Sequence, residues 1–236
     1  MSQHIEILST TALKSTLDAL GPQLETGTAR TLAIRYMPSA RIMEHARGGD
    51  RFDIALATRE VAQVLESEGW LAAGAVVPIA RAAVGLAVRP DAPTPNISSA
   101  DDFRQTLLNA TAIAMSDPDG GGQSGRELMS VFERLGVVKA IRPKLRFSKG
   151  GPEGLTGYAL LRGDADLALQ QMPELLSVSG IAVVGPLPAA LRIDTWFVAG
   201  LSARLRDPAA RTLVTLLNNA AARDVLEAKG FSVEAE

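Results

Sequence analysis

Cysteine is absent from this 236-residue chain, and histidine occurs only as His4 and His45. The lack of cysteine excludes disulfide bonds, thiolate metal sites and a cysteine nucleophile. Two histidines are too few for a histidine-rich metal centre and argue against a Ser-His-Asp triad. We therefore expect no metal and no cofactor, and the sequence identifies no catalytic residue.

A strong excess of charge is also lacking. The chain has 24 Lys and Arg against 26 Asp and Glu, for a net charge of −2, so no broad basic surface favours nucleic acid. No apolar run is long enough for a transmembrane helix, and no signal-peptide pattern precedes His4. We expect no nucleic-acid partner, no membrane insertion and a cytoplasmic location. The periplasm is the alternative if the sequence is a mature form without its signal peptide.

The composition of the chain and the order of its predicted segments are typical of a compact α/β protein. Hydrophobic residues make up 47% of it and charged residues 21%, which is typical of a folded domain. Strand-like segments at 4–8, 30–36 and 52–57 alternate with helix-like segments, such as the one whose apolar stripe runs from Leu13 to Leu24. This alternation predicts a mostly parallel sheet with helices packed on it.

Two long extended segments predict the domain organisation. The run at 76–88 leaves a first lobe, and a strand at 193–201 returns to it. We predict two Rossmann-like lobes joined by a hinge: a discontinuous first lobe, 1–83 and 195–236, and a second lobe, 84–194. A cleft between two lobes is a common place for a ligand, so we expect the ligand there.

Hydroxyl side chains follow several of the predicted strands. They lie in Ser9-Thr10-Thr11, in Pro38-Ser39, in Thr58-Arg59 and in the glycine-rich stretch that ends at Ser124. Strand-to-helix junctions of a parallel sheet lie at one edge, where free helix N–H groups favour anions. The alternative role is helix capping, for which Ser and Thr are common. We select Ser9, Thr10, Ser39 and Ser124 as candidate anion ligands.

Arg59 directly follows a buried apolar strand, so its guanidinium is predicted at the edge of the cleft. A guanidinium there suits a carboxylate, which it can hold with two parallel hydrogen bonds. Gly122 belongs to a glycine-rich loop with neither the Walker nor the dinucleotide pattern. It is either a turn or a loop that cradles an anion.

Two further candidates follow later strands. Lys149 precedes Gly150-Gly151-Pro152, a turn that could begin a ligand-facing helix, and Gln170-Gln171 end the strand at 165–170. Consecutive strand residues point to opposite faces, so only one of the two amides needs to face a ligand. We select Lys149 and Gln171.

The order of these motifs resembles the molybdate-binding-protein family of extracellular solute-binding proteins. The resemblance covers nearly the whole chain. It rests on Ile7-Leu-Ser-Thr-Thr-Ala-Leu13, the Pro38-Ser39 helix, Phe52-Asp-Ile-Ala-Leu-Ala57, Asp117-Pro-Asp-Gly-Gly121, Gly163-Asp-Ala-Asp-Leu-Ala168 and the end from Val225-Leu226 to Lys229-Gly-Phe231. It implies a type II periplasmic-binding-protein fold, with Ser9 or Thr10 and Ser39 as oxyanion-binding hydroxyls.

Two departures place the chain in a divergent branch of that family. Gln171 stands where molybdate binders usually have tyrosine, and Arg59 is unexpected among neutral donors to a tetrahedral dianion. The segment Gln170-Gln-Met-Pro-Glu174, followed by Val184-Gly-Pro-Leu-Pro188, resembles the branch that includes aconitate isomerase. The resemblance therefore favours a carboxylate ligand over molybdate.

Four functions remain open at this point. The first is binding of a small anion, a di- or tricarboxylate or an oxyanion, with an ABC permease as partner only if the protein is exported. The second is isomerisation of an unsaturated polycarboxylate. Its base is not identified, because turn roles fit Asp117 and Asp119 better. Molybdate transport and a ligand-sensing regulatory domain rank below both.

Overall fold

The computed structural model describes residues 4–151 and 154–233, so Pro152 lies outside the described residues. These residues form two compact units. The first contains the described residues up to Ala82 and those from Thr195 onward, and the second is Ala83–Asp194. Strands alternate with helices in both units, which confirms the predicted α/β class.

The helices and strands follow the predicted order closely. In chain order they are β1 (His4–Thr10), α1 (Lys14–Thr28), β2 (Thr31–Met37), α2 (Ser39–Arg47), β3 (Ile54–Thr58), α3 (Arg59–Ser67), β4 (Leu71–Val88), α4 (Ala100–Asn109), β5 (Ile113–Ser116), α5 (Gln123–Arg134), α6 (Val138–Ile141), β6 (Leu145–Ser148), α7 (Gly157–Arg162), β7 (Leu167–Gln171), α8 (Met172–Leu176), β8 (Ala182–Pro186), β9 (Asp194–Ser202), α9 (Ala209–Leu217) and α10 (Ala220–Ala228). None of these helices is long and apolar enough to cross a membrane.

The first unit is built on three adjacent parallel strands. Its strand order is β2-β1-β3-β9-β4. Strand β1 pairs in parallel with β2, where Thr10 faces Met37, and with β3, where Ser9 faces Leu56. Strand β9 runs antiparallel to β3 and pairs Phe197 with Thr58. The carboxyl ends of β1, β2 and β3 therefore meet at one edge of the sheet, which we call the polar edge of the first unit.

Both faces of this sheet are buried, because successive strand residues point to opposite sides. Ile5 and Ile7 pack into a core with α1, α9 and α10. Leu8 points to the other side, into a core with α2 and α3. All five residues of β3 are buried, as expected for a central strand. Helix α3 begins directly after the last of them.

The second unit repeats the plan with a different strand order. Strands β4, β7, β5 and β6 lie side by side, and β8 also pairs with β4. Strand β5 is parallel to both β6 and β7, whereas β4 is antiparallel to β7. Met115 and Leu169 face one core, and Ala114 and Ala168 face another. The carboxyl ends of β5, β6 and β7 consequently meet at one edge, which we call the polar edge of the second unit.

Candidate anion-binding site

Two buried hydroxyl groups at the polar edge of the first unit have no internal partner. Ser39 is the first residue of α2 and is 6% exposed, and Thr58 precedes α3 and is 3% exposed. Neither side-chain oxygen has a hydrogen-bond partner among the described residues. The prediction that Ser39 caps α2 is wrong, because Pro38 holds the cap position and no side chain caps this helix.

An unpaired hydroxyl in a dry interior is unfavourable by roughly 1–3 kcal/mol. Ser39 nevertheless lies just beyond β2 and Thr58 ends β3, the two strands that flank β1. Thr11, just after β1, has a third unpartnered buried hydroxyl. Three such groups in equivalent positions require an explanation. An anion that accepts their hydrogen bonds would supply one.

Ser9 and Thr10 end the central strand of this edge. The Ser9 hydroxyl donates to the Thr10 carbonyl oxygen at 3.1 Å, so it is already engaged with the backbone. Thr10 is buried, and its side chain makes no capping hydrogen bond to the turn that follows. Of the two, Thr10 has the side chain that is more available to a ligand.

Arg59 is the first residue of α3 and lies over an aromatic ring. Its guanidinium carbon is 4.4 Å from the centre of the Trp196 ring, and that of Arg81 is 5.8 Å from the same ring. Contact with the ring face orients a guanidinium while leaving its N–H donors in the plane of the group. Within the described part of the first unit, no hydrogen bond or ion pair holds the Arg59 guanidinium.

The glycine-rich stretch of the second unit is closely packed. Gly122 precedes α5, and a methyl group there would lie 2.8 Å from the Ser116 Cβ atom. Ser124, in the first turn of α5, is buried and donates to the Ser116 hydroxyl at 3.3 Å. Asp117 accepts a hydrogen bond from the Asp119 N–H at 3.0 Å, which is the expected turn role. Glycine at 122 therefore allows close packing of α5 on β5.

Both glutamines at the end of β7 are buried. The Gln170 Oε1 atom accepts from the Thr156 N–H at 2.8 Å and from its hydroxyl at 2.9 Å. Interactions with the Gln171 backbone and the Gln170 side chain act to lower the pKa of the Glu174 carboxyl group. Burial nevertheless raises the pKa of Glu174 to about 8 because it disfavours the charged form, an effect that outweighs these interactions.

Lys149 differs from the other predicted residues of this unit because it is exposed. It lines an open cavity of about 470 Å³ together with Arg146, Arg162 and Thr156. The Arg162 guanidinium is paired with Asp164 at 2.8 Å. This cavity is therefore only mildly basic.

The structure collects the predicted residues into two sets, one at each polar edge. The first unit holds Ser9, Thr10, Ser39 and Arg59, and the second holds Gly122, Ser124, Lys149 and Gln171. Several other side chains in these regions were not among the predicted site residues: Thr11, Thr58, Arg81, Thr156, Gln170, Glu174 and Trp196. The one signal that could have found Glu174 is a glutamate shortly after two glutamines that end an apolar strand.

No cluster of metal-binding side chains of three or more members occurs among the residues that the structure describes. The donors at both edges are hydroxyls, amides and guanidinium groups. Such groups donate hydrogen bonds or carry positive charge. The arrangement suits an anion.

Known proteins resemble this chain over most of its length. The family model described as bacterial extracellular solute-binding protein matches residues 5–232. Aconitate isomerase from Pseudomonas sp. is 29% identical over 233 residues, which cover 96% of this chain and 87% of that protein. The resemblance to solute-binding proteins predicted from sequence is confirmed.

Two solved structures share the fold at low sequence identity. The periplasmic molybdate-binding protein of Azotobacter vinelandii superimposes with a TM-score of 0.79 and 15% identity, over 98% of this chain and all of that one. The sulfate-binding protein of Mycobacterium tuberculosis H37Rv gives a TM-score of 0.74 and 14% identity, over 98% and 88% of the two chains.

Proposed function

Since the chain belongs to the bacterial extracellular solute-binding proteins, we propose that it binds a small anion with donors at the polar edge of its first unit. The observation that carries the proposal is the pair of buried hydroxyls, Ser39 and Thr58, that lack partners among the described residues at the ends of the two strands that flank β1. Backbone N–H groups at the starts of α2 and α3 lie beside them. Hydroxyl and amide donors of this kind recognise an oxyanion without needing a metal.

Arg59 supports a carboxylate as the ligand class. Stacking on Trp196 orients its guanidinium, and the planar donor pair of a guanidinium matches the two oxygens of a carboxylate. Arg81 lies over the same ring.

A second candidate function is isomerisation of an unsaturated polycarboxylate. The observation that favours it is the 29% identity to aconitate isomerase across 96% of this chain. The same donors would hold the carboxylates, and they would stabilise negative charge that develops when a carbon next to one of them loses a proton.

The two candidate functions imply different cellular locations and different protein partners. The isomerase function fits a cytoplasmic protein, whereas transport requires an exported protein that delivers its ligand to an ABC permease. The periplasmic relative and the family description support the second arrangement. Fractionation of cells that produce the protein from its own gene distinguishes the two.

Thermal unfolding in the presence of different anions tests the binding proposal. The panel contains cis- and trans-aconitate, citrate, shorter dicarboxylates, molybdate, tungstate and sulfate at fixed pH and ionic strength. A ligand at about a hundred times its dissociation constant stabilises the protein by about 2.7 kcal/mol, enough to raise the Tm clearly. We expect the largest shift with a polycarboxylate. A shift with molybdate and tungstate alone contradicts the carboxylate assignment, and no shift with any anion contradicts the proposal.

A further inference from the structure

The amino ends of β1 and β3 border a cavity of about 360 Å³ in the first unit. Strand β1 begins at His4 and β3 at Ile54, and β9, which runs antiparallel to β3, ends beside them at Ser202. Every residue that lines the cavity belongs to the first unit. The cavity lies at the end of the sheet opposite to the polar edge, so the anion site proposed above does not include it.

Three arginines line this cavity: Arg51, which precedes β3, and Arg204 and Arg206, which lie between β9 and α9. All three are exposed. Within the described part of the chain, no hydrogen bond or ion pair engages any of their guanidinium groups. Other exposed arginines of this unit are paired with carboxylates, as Arg47 is with Glu68. The cavity therefore collects cationic donors that still lack an acceptor.

Two carboxylates in the lining of the cavity are engaged by other groups. Asp50 is paired with Arg35 at 2.6 Å and with His45 at 2.7 Å. A Glu6 carboxylate oxygen lies 3.6 Å from the His4 Nε2 atom. These contacts reduce the negative potential inside the cavity, so the guanidinium groups dominate its charge.

The third carboxylate in the lining, that of Asp53, holds the surrounding backbone in place. Asp53 is 5% exposed and accepts hydrogen bonds from the backbone N–H groups of Glu6, at 3.0 Å, and Arg206, at 3.3 Å. The Ser202 hydroxyl accepts one from the Arg204 N–H at 3.2 Å. The segment that carries Arg204 and Arg206 is thus fixed without a ligand, which lowers the entropy cost of binding one.

Trp70 orients one of the three guanidinium groups. The guanidinium carbon of Arg204 lies 5.4 Å from the centre of the Trp70 ring, and Trp70 also packs on the core beside α2 and α3. Contact with a ring leaves the N–H donors of a guanidinium available in its own plane. The chain has two tryptophans, and the other, Trp196, lies under Arg59. Both ends of the sheet in the first unit therefore present an arginine on a tryptophan.

We propose that this cavity binds a small anion with at least two phosphate or carboxylate groups, separately from any ligand at the polar edge. A guanidinium gives two parallel hydrogen bonds to either kind of group. An anion with a single charge would leave most of the cationic charge of Arg51, Arg204 and Arg206 unneutralised, whereas a polyanion contacts several of them. The volume of the cavity, about 360 Å³, falls in the usual range of small-molecule sites.

The fluorescence of Trp70 tests the proposal in a Trp196→Phe variant, in which Trp70 is the remaining tryptophan. Inorganic tripolyphosphate, citrate and sulfate are titrated at fixed pH and ionic strength. We expect a saturable change in Trp70 emission with tripolyphosphate or citrate, and binding of sulfate at least about tenfold weaker because sulfate offers one anionic group instead of several. The polyanion that binds more tightly identifies phosphate or carboxylate as the preferred group.

Substitution of the arginines locates the bound anion, and calorimetry measures the affinities. Arg204→Gln and Arg206→Gln should each weaken binding of the polyanion at least about fivefold, because hydrogen bonds between charged groups are lost. Arg41→Gln is the matched control, since Arg41 is an exposed arginine of the same unit that is paired with Glu44. Arg59→Gln, at the polar edge, should leave binding in this cavity unchanged.

Three results would overturn the inference. The first is no change in Trp70 emission with either polyanion, which leaves the function proposed for the polar edge untouched. The second is binding that Arg59→Gln abolishes and Arg204→Gln spares, which places the anion at the polar edge and supports that function. The third is equal weakening by Arg41→Gln and Arg204→Gln, which indicates attraction to the general charge of the surface.

Discussion

The polar edges of the two units satisfy their buried side chains in opposite ways. In the first unit, the hydroxyls of Ser39 and Thr58 are buried without partners. In the second, Thr156 donates both its backbone N–H and its hydroxyl to the Gln170 Oε1 atom. Because each unit carries its polar groups at the carboxyl ends of parallel strands, strand topology alone does not explain the difference.

The contrast indicates a division of tasks. Unpartnered donors are unfavourable until something accepts their hydrogen bonds, so the first unit gains most from an anionic ligand. A satisfied network is rigid and positions its members, so these groups of the second unit gain less from a ligand. Four substitutions test this reading.

The largest expected effect is a loss of ligand affinity when Arg59 of the first unit is replaced. Arg59→Ala should weaken polycarboxylate binding by about 2–4 kcal/mol, because the two hydrogen bonds that we propose between its guanidinium and a carboxylate would be lost. Isothermal titration calorimetry measures this loss. Arg41→Ala is the control, since Arg41 is exposed on α2 and paired with Glu44. Unchanged affinity in Arg59→Ala would remove Arg59 from the site.

The second effect is a pH dependence of stability in the second unit. The raised pKa of Glu174 means that the folded protein keeps a proton between about pH 4.5 and pH 8, whereas the unfolded chain has already lost it. Stability contributed by this group is therefore present at low pH and is lost as the pH rises through that window. The loss is about 2–3 kcal/mol after allowance for the partial exposure of the residue.

Denaturant unfolding of Glu174→Gln at pH 5 and at pH 9 measures this contribution. Glutamine cannot ionise, so the variant should lose less stability than wild type between the two pH values. An identical loss in both proteins would show that Glu174 titrates normally in the folded state.

The third effect is a loss of stability when one hydrogen bond between Thr156 and Gln170 of the second unit is removed. Thr156→Val removes one of the two donors to the Gln170 Oε1 atom, so we expect the free energy of unfolding to fall by about 1–2 kcal/mol. Thr215→Val is the comparison, because Thr215 is an exposed helical residue. Chemical denaturation of both variants distinguishes a buried bond from a surface one.

The smallest expected effect is on the stability of Thr58→Val, which should not fall. Thr58→Val keeps the shape of the side chain and removes a buried hydroxyl without a partner, so stability should stay the same or rise by about 0.5–1 kcal/mol. Anion affinity should fall by about 1 kcal/mol.

Ser99 supplies the contrast to Thr58. Its side chain accepts a hydrogen bond from the Asp102 N–H and caps α4. Ser99→Ala should lower stability by about 1 kcal/mol and leave binding unchanged. A loss of stability in Thr58→Val without any loss of affinity would mean that its hydroxyl is structural too.

The sequence by itself determined the order of strands and helices and the positions where they meet. Apolar runs such as 54–58, followed directly by Arg59, place a polar side chain at the end of a buried strand wherever that strand lies in the sheet. Junctions of this kind depend only on neighbouring residues. That is why Ser39, Arg59 and Gln171 could be selected from local pattern and family resemblance.

Only the tertiary structure decided which of those polar groups have partners. Ser39 and Thr58 look like ordinary helix caps in the sequence, yet the structure leaves their hydroxyls unbonded. The bond from Thr156 to Gln170 joins residues 14 positions apart, and desolvation of Glu174 depends on how α8 packs against β7 and β8. Hydrogen bonding and desolvation depend on distances in space, which local sequence patterns do not fix.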